Sequence, residues 1–244
     1  MTKKFLYLLG FIFAIVLWSG CCVNTIHVIN TDHQRSVAAH LDESTVALVK
    51  KNIYDKYRPF CSGVWVTDGV ILTARHCVTD DNEDVNIGTV INYQTYNEYS
   101  PQGFTEKAYS AYISGYSKIA DLAILTSIDD VTHDIARIYT GEIHAAMKLQ
   151  IVGHPSGMLW SHSDATVAQV RISYFPFVNQ KVMQVTPHIW FGNSGGGVFD
   201  EDYGRLMGIA SYMRLDGDAP IAAFFVHRDE ITKFLTEKEI PFHS

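Results

Sequence analysis

WFGNSGGGVF, residues 190–199, places a single serine, Ser194, among four glycines. Read as a turn, such a stretch needs no more than flexibility. Read as chemistry, it is a nucleophile whose neighbours must have bare backbones. Acyl transfer needs an exposed hydroxyl and backbone N–H groups aimed at the oxyanion that develops during attack. Glycine lets the main chain come that close and take unusual φ/ψ values. The stretch also sits between two β-like runs, KVMQVT (181–186) and GVF (197–199). Serine alone is a poor nucleophile. The chemical reading therefore requires a base elsewhere in the chain and a carboxylate to orient it.

Both are found by working outward. LTARHC (72–77) ends a β-like run with His76, and IADLAIL (119–125) starts one with Asp121. With TARHC, DLAI and GNSGG in this order, the chain resembles the chymotrypsin-like serine peptidases over roughly residues 44–235. The resemblance implies that Ser194 attacks the acyl carbon and that His76 relays the proton. It implies that Asp121 holds the imidazole, and that the N–H groups of Gly192 and Ser194 form the oxyanion hole. It further implies a disulfide between Cys61 and Cys77, beside the histidine. The fold expected is all-β, two six-stranded antiparallel β-barrels with a C-terminal α-helix. No cofactor is implied, and the partner is a protein or peptide substrate.

Departures from the family narrow the type. Asn193 stands where digestive members have an aspartate that pairs with a new N-terminus, and the chain near Arg58–Cys61 has no I-V-G-G start. The resemblance is closer to bacterial members, the glutamyl endopeptidases and the HtrA protease core. VGHPSG (152–157) is similar to the glycine-proline turn of the latter. No PDZ-like region follows, which implies a stand-alone protease domain active without prodomain removal. By resemblance, His188–Phe191 form one wall of the specificity pocket. Ala210–Met213, with Ser211 and Tyr212, form the other, and Phe224 or Phe225 closes the base. No wall residue is acidic, so a preference for Lys or Arg is not expected. His188 suits an acidic or amide side chain, and Met213 narrows the pocket. Arg75, beside His76, replaces a small residue and nothing in the sequence explains it.

The rest of the chain is consistent with this fold. STVALVK (44–50), SGVWVT (62–67), VILTA (70–74), VNIGTVINY (85–93), DLAILTS (121–127), KLQIVG (148–153), ATVAQVRIS (165–173), RLMGIASYM (205–213) and IAAFFVH (221–227) read as strands. Asp68-Gly69 marks a tight turn. In RDEITKFLTEKEI (228–240), Ile231, Phe234 and Leu235 share one helical face, and Asp229 and Glu230 suit its first turn.

Of the 244 residues, 47% are hydrophobic and 18% charged, with a formal net charge of -7. That is an ordinary globular composition. The acidic balance and the absence of basic runs argue against nucleic acid as a partner. Lys3 and Lys4 precede the apolar run FLYLLGFIFAIVLW (5–18), which is too short to span a membrane comfortably and reads as an export signal over 1–20. Ser19-Gly20-Cys21 resembles a lipobox, which implies lipidation of Cys21 and a periplasmic or cell-surface location on a membrane. Cys22, not Asp, follows Cys21 and favours the outer membrane or surface. Residues 21–43 read as a tether without periodicity, with His27, His33 and His40 as solvated residues, and 44–244 as the peptidase domain. Beyond Cys22, Cys61 and Cys77 are an even pair able to bond in an oxidising compartment. Neither a C-x-x-C unit nor H-E-x-x-H is present, so no metal site is expected.

Three other readings compete with this one. Gly192-x-Ser194-x-Gly196 also fits the nucleophile elbow of α/β-hydrolases, but that fold needs alternating βα units and the order Ser, Asp, His. A protease fold can also persist as a catalytically silent binding module on a membrane-tethered lipoprotein. Such a module usually has a damaged triad, and here His76, Asp121 and Ser194 are all present. A purely structural lipoprotein would account for the signal but not for the three ordered motifs.

Overall fold

The computed structural model describes residues 32–80, 82, 84–96, 107–173, 179–186 and 189–244. The expected export signal, the lipidation site Cys21 and the pocket residue His188 lie outside them. The chain divides into two compact units, residues 1–39 and 40–244. In the first, residues 32–39 are helical, and the second opens on the last residues of the same helix, α1 (32–44). The tether expected over 21–43 is thus helical from residue 32. The physical reason is local: Leu41 is fully buried and the buried Ser44 hydroxyl donates to the Leu41 carbonyl at 3.2 Å. His40 is not a solvated loop residue either, since its Nδ1 lies 2.8 Å from Asp134. Among the described residues, no helix is long and apolar enough to cross a membrane.

Among the described residues, twelve strands follow. β1 (Thr45–Lys51), β2 (Tyr57–Thr67), β3 (Val70–Thr73), β4 (Val90–Thr95), β5 (Tyr109–Tyr116) and β6 (Ala123–Ser127) close in the order β1-β2-β3-β6-β5-β4. β7 (Lys148–Gly153), β8 (Ser161–Ile172), β9 (Lys181–Val185), β10 (Gly197–Asp200), β11 (Leu206–Asp216) and β12 (Ala219–His227) close a second barrel, ordered β7-β8-β9-β12-β11-β10 around the ring. The second order is the first with six added, so one topology occurs twice. This is the two-barrel, all-β fold expected from the sequence. Closure removes exposed sheet edges. Each barrel has its own core: Val46, Leu48, Trp65, Ile71 and Leu125 in the first, and Leu149, Ile151, Met183, Val198 and Phe225 in the second.

Local chemistry explains the boundaries. Asp68-Gly69 joins β2 to β3 as a two-residue hairpin, with Thr67 opposite Val70 and Gly69 at φ 68°. In VNIGTVINY, Val85 makes an isolated bridge with Thr79 and the regular strand starts only at Val90, because Asn86 to Thr89 is a turn, closed by Thr89 N–H to the Asn86 carbonyl at 3.2 Å. β8 begins at Ser161, four residues before the apolar run, because its polar start still pairs with β7 through the backbone. β5, YSAYISGY, was not expected from the sequence. Its inward positions Ala111, Ile113 and Gly115 include two small residues that give little apolar signal.

A final helix, α2 (Arg228–Glu237), buries Ile231, Phe234 and Leu235 as expected. His227 caps it: the Asp229 N–H donates to His227 Nδ1 at 3.1 Å, which requires a neutral ring. Burial pushes the His227 pKa down to about 4, against opposing attraction from Asp229 and with help from Lys181 and Arg228.

Candidate active site

The three motif residues come from both barrels. His76 lies in a short 3₁₀ turn, Arg75–Cys77, that follows β3. Asp121 immediately precedes the region entering β6, and Ser194 precedes β10. His76 Nδ1 lies 2.7 Å from Asp121 Oδ2, and the His76 N–H donates to Asp121 Oδ1 at 3.0 Å. Asp121 is fully buried. A buried carboxylate needs its lone pairs satisfied, and two more bonds hold this residue. The Ser211 hydroxyl donates to Oδ2 at 2.6 Å, and the Asp121 N–H donates to Gln180 Oε1 at 2.9 Å. His76 is thereby held at two points while its ring stays partly exposed, with 39% of its side chain accessible.

His76 and Ser194 line one cleft of about 690 Å³. No hydrogen bond joins these two described residues, a common state of such sites before substrate binds. The Ser194 loop is moulded from behind. Ser62 N–H donates to the Ser194 carbonyl at 2.7 Å, and Gly195 N–H to the Ala210 carbonyl at 2.8 Å. Gly192 has φ 103° and Gly195 φ 81°, values that L side chains rarely adopt. A Cβ at Gly192 would strike the His154 carbonyl oxygen, and one at Gly195 would strike Thr73 Oγ1 and the Ser62 carbonyl. Gly192 and Gly195 therefore clear space toward the protein's own backbone and side chains.

The Cys61–Cys77 disulfide is formed, with Cα atoms 6.1 Å apart. It ties β2 to the His76 turn. Closing a loop of this size stabilises the fold by about 3 kcal/mol in the chain-entropy estimate. Cys61, His76 and Cys77 cluster closely enough to suggest a metal site, but both sulfurs are used in the bond and metal binding needs thiolates. Arg75 gains an account here: its Nη1 donates to the Ser117 carbonyl at 3.1 Å, bracing the His76 turn against the loop that leads to Asp121.

Ile189, Trp190 and Phe191 line one side of the cleft, and Ala210, Ser211, Tyr212 and Met213 the other, with no acid among the lining residues. Neither Phe224 nor Phe225 is among those residues. Phe224 stacks on Tyr212 at 4.5 Å, and Phe225 faces the second barrel's core. Neighbours on a strand point to opposite faces, so the two phenylalanines cannot share a role. Ser211, expected in the wall, also anchors Asp121.

Three residues near the site were not singled out from the sequence: Ser62, His154 and Gln180, all fully buried. Burial pushes the His154 pKa down to about 3. Together with His227 this sets an acid limit on stability. Both rings stay neutral in the folded state, whereas unfolded histidines take up protons below about 6.5. Stability is therefore full above pH 6.5 and falls as pH drops toward 4. The expected loss between pH 7 and pH 5 is about 2 kcal/mol per histidine. Urea denaturation at the two pH values checks this, and His154→Asn should remove one histidine's share of the difference.

The trypsin-like peptidase domain family matches residues 61–209, more than half of the chain. Among curated proteins, no sequence matches. Several solved structures share the fold. The active form of the Rv3671c protease from M. tuberculosis superposes with a TM-score of 0.66 at 16% identity, over 85% of this chain and 86% of that one. The HtrA-type protease AlgW with a tripeptide gives 0.65 at 17% identity, over 83% of this chain and 62% of that one. A serine endoprotease from Yersinia pestis gives 0.63 at 19% identity, over 84% and 65%.

Proposed function

Because this chain belongs to the trypsin-like peptidase domain family and is a serine-type endopeptidase acting on protein or peptide substrates, we propose that it works through a His76–Asp121–Ser194 triad and an acyl-enzyme. The observation that carries this reading is the 2.7 Å contact between His76 Nδ1 and the buried Asp121 carboxylate, at the edge of the cleft that Ser194 lines. In this mechanism Ser194 Oγ attacks the substrate carbonyl as His76 Nε2 takes its proton. The tetrahedral oxyanion is held by the N–H groups of Gly192 and Ser194. His76 then gives its proton to the leaving amine, and water repeats the sequence to release the acid. Asp121 keeps Nδ1 protonated and stabilises the imidazolium. An apolar P1 residue of modest size fits the pocket best, since Ile189, Ala210 and Met213 offer no charge to a longer polar side chain.

The test is labelling of the full chain with a fluorophosphonate probe. Wild type should label on Ser194, while Ser194→Ala and His76→Ala should not. A folded, oxidised wild type that fails to label sinks the reading.

The reading extends to location. The protein acts outside the cytoplasm, held to a membrane through lipid on Cys21. The signal-like start of the sequence and the Cys61–Cys77 bond, which suits an oxidising compartment, support this. Cell fractionation checks it: Cys21→Ser should move the protein from the membrane to the soluble extracytoplasmic fraction, and an unchanged distribution would refute lipid anchoring.

A further inference from the structure

The peptides on either side of Gly192 are each held from behind by a different group. The Phe191 carbonyl accepts from the Ser156 N–H at 2.7 Å. The Gly192 carbonyl accepts from the Ser62 hydroxyl at 2.9 Å. In a trans peptide the C=O and N–H point in opposite directions. With the Phe191 carbonyl turned toward Ser156, the Gly192 N–H is turned the other way. An oxyanion donor has to be held in advance, because reorganisation during the reaction costs rate.

The Ser62 hydroxyl has one proton and two neighbours. Besides the Gly192 carbonyl it meets His154 Nδ1 at 2.8 Å. If Ser62 donates to Gly192, then His154 must donate to Ser62, so the ring carries its proton on Nδ1. The other tautomer would draw the Ser62 proton toward Nδ1 and release the Gly192 carbonyl. His154 is fully buried, and its Nε2 has no hydrogen-bond partner among the described residues; the ring meets Trp160 edge to face at 4.9 Å. A bare acceptor is tolerated there better than an orphaned N–H, which favours the Nδ1–H form. The relay then runs one way, from His154 to Ser62 to Gly192. The His154 carbonyl also abuts the Gly192 Cα, leaving no room for a side chain.

We propose that Ser62 and His154 are positioning residues: through this relay they pin the peptide that follows Gly192, and together with the Ser156 N–H on the peptide before it they fix the Gly192 φ/ψ and so keep its N–H in the oxyanion-binding orientation. The inference rests on the serine-protease reading above. Neither residue touches the substrate; both act through the Gly192 carbonyl.

The experiment compares the full-length wild type with Ser62→Ala, His154→Leu and His154→Asn. A peptide p-nitroanilide chosen from a library serves as substrate, and the boronic acid of the same peptide as tetrahedral mimic. Ser62→Ala and His154→Leu should lower kcat about 10- to 100-fold with KM nearly unchanged. Affinity for the boronate should fall in parallel, while affinity for the cleaved product peptide should not. His154→Asn retains a side-chain N–H near the Nδ1 position and should recover most of the activity. A loss caused only by poorer packing would not follow this donor pattern. Wild-type activity with kcat and boronate affinity within twofold in both His154 variants would overturn the inference even if Ser62→Ala does not fold. A wild type that neither cleaves nor labels overturns the protease reading and this inference with it.

Discussion

Replacing Ser194 by Ala should slow peptide hydrolysis about 10⁴- to 10⁶-fold, and His76→Ala should cost about as much, because nucleophile and base act as one unit. Combining the two should add little to either. Asp121→Asn is expected to cost about 10⁴-fold. Asn offers His76 Nδ1 an amide in place of an anion, and the imidazolium loses its stabilising charge. Ser211 donates to the same Oδ2 that meets His76, so the amide must also satisfy a hydroxyl placed for a carboxylate. The pH profile separates the roles. Raising the pH should recover part of the activity of Asp121→Asn, where hydroxide replaces the missing base, and none for Ser194→Ala. Steady-state kinetics from pH 6 to 10 decide this, and an Asp121→Asn enzyme within tenfold of wild type at pH 7 would exclude the triad.

Gly192→Ala should reduce kcat about 10²- to 10³-fold while leaving Ser194, His76 and Asp121 in place. The argument is geometric. Gly192 has φ 103°, and the path of a Cβ is blocked by the His154 carbonyl oxygen, a backbone atom that cannot swing aside. The loop must shift, and the N–H meant for the oxyanion shifts with it. Binding of a product peptide should change little, since the side-chain pocket is built by other residues. A kcat within threefold of wild type would mean that the Gly192 N–H does not serve the oxyanion.

The candidate site was legible because serine-protease chemistry demands particular residue types in a particular order, each beside a β-like run. The barrels were legible through short Val-, Ile- and Thr-rich runs, and α2 through the spacing of Ile231, Phe234 and Leu235. β5 was not, because a barrel strand can turn Ala111 and Gly115 inward and bury almost no apolar area there. The helix seen over residues 32–44 was hidden for a related reason: among these residues it is tied down mainly by Leu41 and shows no long apolar face to read. Ser62 and His154 looked like ordinary polar residues. Their meaning lies in bonds that span 92 and 130 positions of sequence, from Ser62 to His154 and to Gly192. Neither Phe224 nor Phe225 closes the pocket base: Phe224 stacks on Tyr212 and Phe225 packs into the second barrel's core, contacts that strand periodicity alone does not reveal.

The bond from the Ser62 N–H to the Ser194 carbonyl joins a strand of the first barrel to the nucleophile loop of the second, and Gln180 returns the favour by holding Asp121. Neither half therefore contains a finished catalyst. The amino-terminal half holds His76 and Asp121, and the carboxyl-terminal half holds Ser194 together with Gln180 and Ser211, which bond Asp121. The serine takes its working shape only against the half made before it. Under the proposed mechanism, cutting power requires both halves to be folded against each other.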